Sequence, residues 1–178
     1  MASLPPLDIP LSKKKSVKML LLCIAFVLAC WFIWDRAEDY AYTTLFRGVA
    51  MAGFAFFGLL CGGYGLFKLF DNRPGLVLDQ HGIRDNSSAI AGKLIRWQQV
   101  TGLEERVIVN TPYLLVFVKN PEEVIRKENF FKQKIMRLNQ KSYGTPLALS
   151  NQALQCDFEE MVKLVQQYYA AYGAVEAQ

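Results

Sequence analysis

The sequence contains little of the chemistry on which most enzymes and metal sites depend. Its one histidine, His81, precedes Gly82 in a predicted exposed turn and would be the only base for a histidine-based triad. Three of its four cysteines lie in apolar runs, so neither a disulfide framework nor a metal-ligand pair is indicated: Cys23, Cys30 and Cys61. We therefore predict that the protein is not an enzyme and uses no metal or cofactor.

The chain also lacks a large excess of charge of one sign. Its 20 lysines and arginines against 16 aspartates and glutamates give a net charge of +4, which does not favour nucleic acid as the main partner. Hydrophobic residues make up 52% of the chain, and the longest uncharged runs all precede Pro74. This uneven distribution predicts a membrane part followed by a soluble domain, residues 74–178.

Two uncharged runs are long enough to cross a bilayer. The first uncharged run is Met19–Trp34, and Val17 and Lys18 extend this span to about residues 17–34, because a lysine stem can reach the interface. The second covers about residues 48–67, and both are close to the roughly 20 apolar residues that a spanning helix needs. Because the loop between them is short and polar, we expect a transmembrane hairpin over residues 17–70. Neither run has an ionisable side chain between its ends, which argues against a channel or transporter.

The distribution of basic residues predicts the orientation of this hairpin. The N-terminal segment, residues 1–16, holds three consecutive lysines, and Lys68 and Arg73 follow the second run. Lysine and arginine resist translocation and mark the cytoplasmic side. We expect a multi-pass protein of the bacterial cell (inner) membrane, with the basic segment 1–16 and both termini in the cytoplasm.

Two features of these runs have alternative interpretations. Cleavage before Cys30, as in bacterial lipoproteins, is an alternative for the first run, but Leu28 fits that signal poorly and the apolar run continues to Trp34. In the second run, Gly58 and Gly62 have the spacing of small residues at close helix contacts. They are predicted helix-packing residues, either within the hairpin or between copies of the chain.

Short strand-like runs separated by turn residues follow Pro74 and predict an antiparallel sheet. Pro121, followed by two glutamates, predicts the start of one helix, and Asp157, with a glutamate three residues later, predicts the start of an amphipathic C-terminal helix. The stretch of residues 122–143 is long for a connection between strands and predicts a helical insertion. The predicted strands cover residues 76–79, 83–85, 93–97, 100–110, 113–119 and 145–150, with a turn at Thr111 and Pro112.

The strand sequences resemble the opening of bacterial pleckstrin-homology-like (PH-like) domains, in which a tryptophan closes the third strand and an isoleucine or valine follows three residues later. The matching segments are GLVLD at 75–79, HGI at 81–83 and IRWQQV at 95–100. Later segments resemble an uncharacterised bacterial family of two-span membrane proteins with a C-terminal PH-like domain: NPEE at 120–123, YGTP at 143–146 and DFEE at 157–160.

This resemblance implies a fold of the α+β class. A two-helix transmembrane hairpin would be followed by a partly open antiparallel β-barrel with a C-terminal capping helix, and the predicted helical insertion is a departure from the pattern of the family. It implies binding of lipids or proteins and supplies no catalytic residue.

A cluster of basic residues in the predicted helical insertion is opposed only by Glu128, and aromatic and aliphatic residues lie between its members. Lys134, Arg137 and Lys141 have spacings that place them on one helical face. One interpretation is a segment held against anionic lipid of the cytoplasmic leaflet. The other is a solvated helix face whose aromatics pack on the sheet. The predicted lipid- or partner-binding residues are Arg126, Lys127, Lys132, Lys134, Arg137 and Lys141.

These features together predict a membrane-anchored, non-enzymatic PH-like module. It would bind anionic lipid headgroups or a protein partner at the inner face of a bacterial membrane. The alternatives are an enzyme built on the same scaffold and a structural subunit that forms homo-oligomers through Gly58 and Gly62. No nucleophile with a neighbouring base supports the enzyme.

Overall fold

The chain folds as two compact units in a computed structural model that describes residues 4–39, 42–88 and 93–173. Residues 12–72 form a helical hairpin. The second unit, the sheet domain, combines the residues up to Leu11 with those from Arg73 onward, whereas the composition of the chain predicts a domain of residues 74–178 alone. Of that predicted range, residues 89–92 and 174–178 lie outside the described residues.

Two helices of the hairpin are long and apolar enough to cross a membrane, and they enclose both predicted spans: Lys13–Arg36, with 24 residues, and Thr43–Phe70, with 28. The first, α1, begins where the Ser12 hydroxyl accepts a hydrogen bond from the Lys15 amide at 3.3 Å. A short 3₁₀ turn, Ala37–Asp39, follows it. The second helix has three consecutive segments: α2 (Thr43–Gly53), a π-helix (Phe54–Gly62) and α3 (Gly63–Phe70).

Two glycines let the second helix approach α1 closely. A Cβ atom added at Gly53 would lie 2.3 Å from Cys30 Sγ, and one added at Gly65 would lie 2.8 Å from Met19 Cε. Both distances are shorter than van der Waals contact, so a larger side chain at either position would force the neighbouring atoms to move. The hairpin is therefore packed through small residues, as is common between helices in membranes.

Lys13 ties the beginning of the hairpin to its end. Its ammonium donates hydrogen bonds to the carbonyl oxygens of Leu69 at 2.5 Å and Asp71 at 2.9 Å. A cation at this place satisfies carbonyls that have no partner within the helix and complements the negative end of the helix dipole. Lys68 adds an ion pair to the Asp71 carboxylate at 3.4 Å. The Lys13 contacts hold the two ends of the hairpin together, and the Lys68 pair stabilises the end of the second helix.

The sheet domain contains two antiparallel sheets, with strand orders β1-β2-β3-β4 and β5-β6-β7. The predicted antiparallel strands are confirmed. The expected arrangement was one partly open barrel, whereas the described strands form two separate sheets. The third predicted strand is shorter than expected, because a 3₁₀ turn at Trp97–Gln99 interrupts it. The strands are β1 (Leu7–Ile9), β2 (Leu76–Leu78), β3 (Gly82–Asp85), β4 (Ile95–Arg96), β5 (Val100–Ile108), β6 (Thr111–Val118) and β7 (Leu147–Leu149).

Strand β1 precedes the hairpin in the chain, yet it belongs to the sheet domain. Ile9 pairs with Leu76 of β2, and the Gly75 amide donates to the Ile9 carbonyl at 2.8 Å. Ile9 and Leu11 are buried, and Leu11 also forms a β-bridge with Leu154. The hairpin is therefore an insertion between the first and second strands of one sheet.

The C-terminal helix, α6 (Phe158–Tyr172), also holds the N-terminal segment. The Leu4 amide donates to the Tyr172 hydroxyl at 2.6 Å, and the Tyr168 hydroxyl donates to the Pro5 carbonyl. Burial raises the pKa of the Tyr168 hydroxyl. Residues from both ends of the chain therefore contribute to one core.

Trp97 lies at the centre of this core and is completely buried. Its indole N–H donates to the Asp79 carbonyl at 2.7 Å. Its ring lies 6.4 Å from the ring of Tyr168 and 6.3 Å from that of Tyr169, both on α6. The tryptophan thus joins the four-stranded sheet to the C-terminal helix.

Strands β5 and β6 form a long hairpin whose turn differs from the prediction. Val109 and Asn110 have positive φ angles of 47° and 61°, which is the geometry of a two-residue turn between twisted strands. The predicted turn at Thr111 and Pro112 is wrong, because both residues already belong to β6 and Pro112 pairs with Val107.

The predicted helical insertion between β6 and β7 is present as two helices, α4 (Pro121–Arg126) and α5 (Phe130–Tyr143). Asn129 caps α5 by accepting a hydrogen bond from the Lys132 amide at 3.0 Å. Gly144 ends it in the left-handed conformation, with φ of 81°. Both ends of α5 are therefore fixed by local sequence.

Candidate membrane-facing site

Helix α5 packs on the sheet domain through one side. Met136 is buried in the core cluster, and Ile135 is half-buried. The Gln133 amide group donates to the Glu128 carbonyl at 2.8 Å and fixes the beginning of the helix against the preceding loop. The opposite side of α5 is exposed.

The exposed side carries apolar and basic residues together. At about 100° per residue, its six members fall within an arc of about 120° around the helix axis. All six are exposed to solvent. We call this set the α5 face: Phe130, Phe131, Lys134, Arg137, Leu138 and Lys141.

The apolar members of the α5 face do not pack against the sheets. Phe130 is 83% exposed, Phe131 is 65% exposed and Leu138 is 63% exposed. This differs from the interpretation in which the aromatics of the segment cover the sheet. Two large aromatic rings and a leucine side by side on a surface are typical of a site for another apolar surface.

Two of the predicted basic residues have acidic partners within the same segment. Lys127 lies 2.6 Å from Glu123, and Lys132 lies 3.5 Å from Glu128. The hydrogen bond and the charge of Lys127 lower the pKa of Glu123. The charges of these two lysines are therefore partly balanced before any ligand binds.

The other predicted basic residues have no acidic partner in the described part of the chain. The side chains of Lys134, Arg137 and Lys141 make no ion pair or hydrogen bond there, and Arg126 is exposed on α4. The first three lie on the α5 face, whereas Lys132 is half-buried on another side of the helix. The structure thus groups three of the six predicted residues with the exposed phenylalanines.

The two predicted helix-packing glycines differ in what they touch. A Cβ atom added at Gly58 would meet Val27 of α1 at 3.7 Å, which is ordinary contact inside the hairpin. One added at Gly62 would meet only the Phe57 carbonyl oxygen, at 3.0 Å, on its own helix. Gly58 and Gly62 therefore do not act as a pair against α1, and the tight contacts belong to Gly53 and Gly65.

Outside the α5 face, the described residues contain few candidate catalytic, metal-binding or ligand-binding sites. His81 lies in an exposed turn, where its amide donates to Asp79 Oδ1 at 2.7 Å. No group of three histidine, cysteine, aspartate or glutamate side chains in the described ranges is placed to hold a metal ion. A pocket beside α4 and α5, bordered by Lys127 and Glu128, has a volume of about 40 Å³, which is room for a few water molecules only.

Comparison with known proteins gives no family assignment for the chain. No protein-family model, curated protein or solved structure matches the chain.

Proposed function

We propose that the protein is a membrane-anchored, non-enzymatic module whose sheet domain binds anionic lipid at the inner face of a bacterial membrane. The observation that carries the proposal is the α5 face, where three basic side chains that form no ion pair with any described residue lie beside exposed aromatic rings. A bilayer with anionic headgroups matches both properties, because it offers negative charge at its surface and an apolar interior beneath.

The pairing of β1 with β2 supports the proposed topology. These strands lie on either side of the hairpin in the chain and are hydrogen-bonded to each other. If both helices cross the bilayer, the residues before and after the hairpin must therefore lie on the same side. The lysines before α1 favour the cytoplasmic side for both.

The sheet domain also supports the PH-like interpretation in outline. Its two antiparallel sheets and the packing of α6 on Trp97 follow the order that the resemblance implies, whereas the helical insertion before β7 departs from it. A PH-like domain that belongs to the two-span bacterial family is the finer proposal. Fold alone does not define a ligand, so the lipid proposal depends on the α5 face.

The strength of the proposed interaction follows from simple electrostatics. A basic group near an anionic leaflet contributes about 1 kcal/mol, so three contribute about 3 kcal/mol, or roughly 100-fold in affinity. This is weak for a free protein. It is enough to orient a domain that its own chain keeps beside the membrane.

The test uses a soluble variant in which a short glycine–serine linker replaces residues 12–72. Such a linker is feasible because Ile9 and Gly75 are hydrogen-bonded neighbours. We expect weak binding to phosphatidylcholine vesicles that contain phosphatidylglycerol, lost when salt is raised, and no binding to phosphatidylcholine alone. Replacing Lys134, Arg137 and Lys141 with glutamate should abolish the binding, measured by vesicle co-sedimentation.

A control variant changes the net charge by the same amount elsewhere. Arg84, Lys119 and Lys163 are exposed and lie outside the α5 face, so their replacement by glutamate should leave most of the binding intact. Equal binding to neutral and anionic vesicles, or equal loss in both variants, would contradict the proposal.

A further inference from the structure

We infer that α5 lies in the plane of the bilayer surface and inserts Phe130 and Phe131 among the lipid chains. This inference rests on the proposed function and adds a mode of recognition to it. The α5 face would bind the surface of an anionic bilayer, and a soluble anion of the same charge would not replace it.

One reason for this inference is that the first turn of α5, which carries both phenylalanines, is capped. Phe130 and Phe131 follow directly after Asn129, whose side chain accepts a hydrogen bond from the Lys132 amide, so they lie in a capped first turn. Burial of Met136 on the other side of the helix fixes its rotation. The two rings are therefore presented outward by the fold.

The arrangement of charge around the helix matches an interfacial helix. Seen along the axis, Arg137 lies at one margin of the α5 face and Phe131 at the other, about 120° away. Lys134 and Lys141 lie between them and have flexible stems that extend towards headgroups while the rings enter the apolar layer. Helices that lie in the membrane surface combine apolar and basic residues in this way.

The β5–β6 turn is a second exposed apolar feature of the domain, and it differs from the α5 face in the charges beside it. Val107 and Val109 at the β5–β6 turn are 69% and 92% exposed. The neighbouring Arg106, however, pairs with Glu104 at 2.5 Å, and Glu105 adds a negative charge. An anionic bilayer would repel this turn, so it provides an internal control for exposed apolar residues without free basic neighbours.

The experiment uses the full-length protein in lipid nanodiscs, with its four cysteines replaced and a nitroxide spin label at Leu138→Cys. A second protein carries the label at Lys163→Cys on α6. Collision of the label with oxygen, which partitions into lipid, is compared with collision with a water-soluble nickel chelate. In discs with phosphatidylglycerol we expect a severalfold higher oxygen-to-nickel ratio at position 138 than at position 163, and no difference in discs of phosphatidylcholine alone.

Replacing Phe130 and Phe131 together with serine should remove the high ratio at position 138. Replacing Val107 and Val109 with serine should leave it unchanged. A label at position 138 that stays aqueous in both lipids, while vesicle binding of the soluble variant still depends on anionic lipid, would overturn insertion and leave the proposed function standing.

Two other outcomes also contradict the inference. A high ratio in both lipids would mean insertion without recognition of charge, which is a failure of the proposed function as well. A label shielded from oxygen and nickel alike would mean that protein, and not lipid, covers the α5 face.

Discussion

Replacing Trp97 with alanine is expected to lower the free energy of unfolding of the sheet domain by about 3–5 kcal/mol. The side chain is fully buried between the four-stranded sheet and α6, so its removal leaves a cavity lined by Tyr168 and Tyr169. The Asp79 carbonyl also loses the donor that lies 2.7 Å away. Urea unfolding of the soluble linked variant, followed by circular dichroism, measures the loss.

The Trp97→Phe variant keeps a buried aromatic ring at this place. It removes the indole donor and part of the ring volume, so we expect a loss of about 1–3 kcal/mol, smaller than that for alanine. An alanine variant that unfolds at the same urea concentration as the parent protein would show that Trp97 does not anchor the core.

Removal of strand β1 is expected to lower the free energy of unfolding of the sheet domain by a similar amount. A fragment that begins at Arg73 loses the burial of Ile9 and Leu11, each worth about 1.5–3 kcal/mol. It also exposes the edge of β2 and the hydroxyl of Tyr168. Because a domain is stabilised by only about 5–15 kcal/mol in total, this fragment should be largely unfolded or aggregated.

The linked variant, which retains residues 4–11, should fold and unfold cooperatively in urea. Within it, Ile9→Ala should be destabilising, whereas Asp8→Ala, at the exposed neighbouring position, should have little effect. Equal stability of the short fragment and the linked variant would show that β1 is not part of the folding unit.

The features that were predicted from sequence are those with strong local signals. Uncharged runs with basic flanks gave the two long helices, and Pro121 and Asp157 gave helix starts within one residue of those observed. In each case neighbouring residues in the chain carry the information.

Strand β1 and the β5–β6 turn were missed because their causes are not local. Leu7, Ile9 and Leu11 alternate with polar residues and proline, but a three-residue strand becomes recognisable only when its partner across the hairpin is known. The turn places Val109 at positive φ, a conformation that a β-branched residue rarely adopts. Glycine usually marks such a two-residue turn, but positions 109 and 110 hold valine and asparagine.

The candidate site was predicted in part. The basic positions and their helical spacing were recognised from the sequence, but the segment has two sets of apolar residues. Met136 packs inward, while Phe130 and Phe131 point outward. Hydrophobicity alone does not distinguish the sets, because rotation of the helix depends on packing against the sheet.

The most direct test of the account is the side of the membrane on which the sheet domain lies. In a cysteine-free protein expressed in intact bacterial cells, Tyr42→Cys lies between the two helices and Lys163→Cys lies on α6. A membrane-impermeant maleimide that has crossed the outer membrane should label position 42. It should label position 163 only after the inner membrane is permeabilised. Labelling of position 163 in intact cells, with position 42 protected, would contradict a membrane-anchored domain at the inner face.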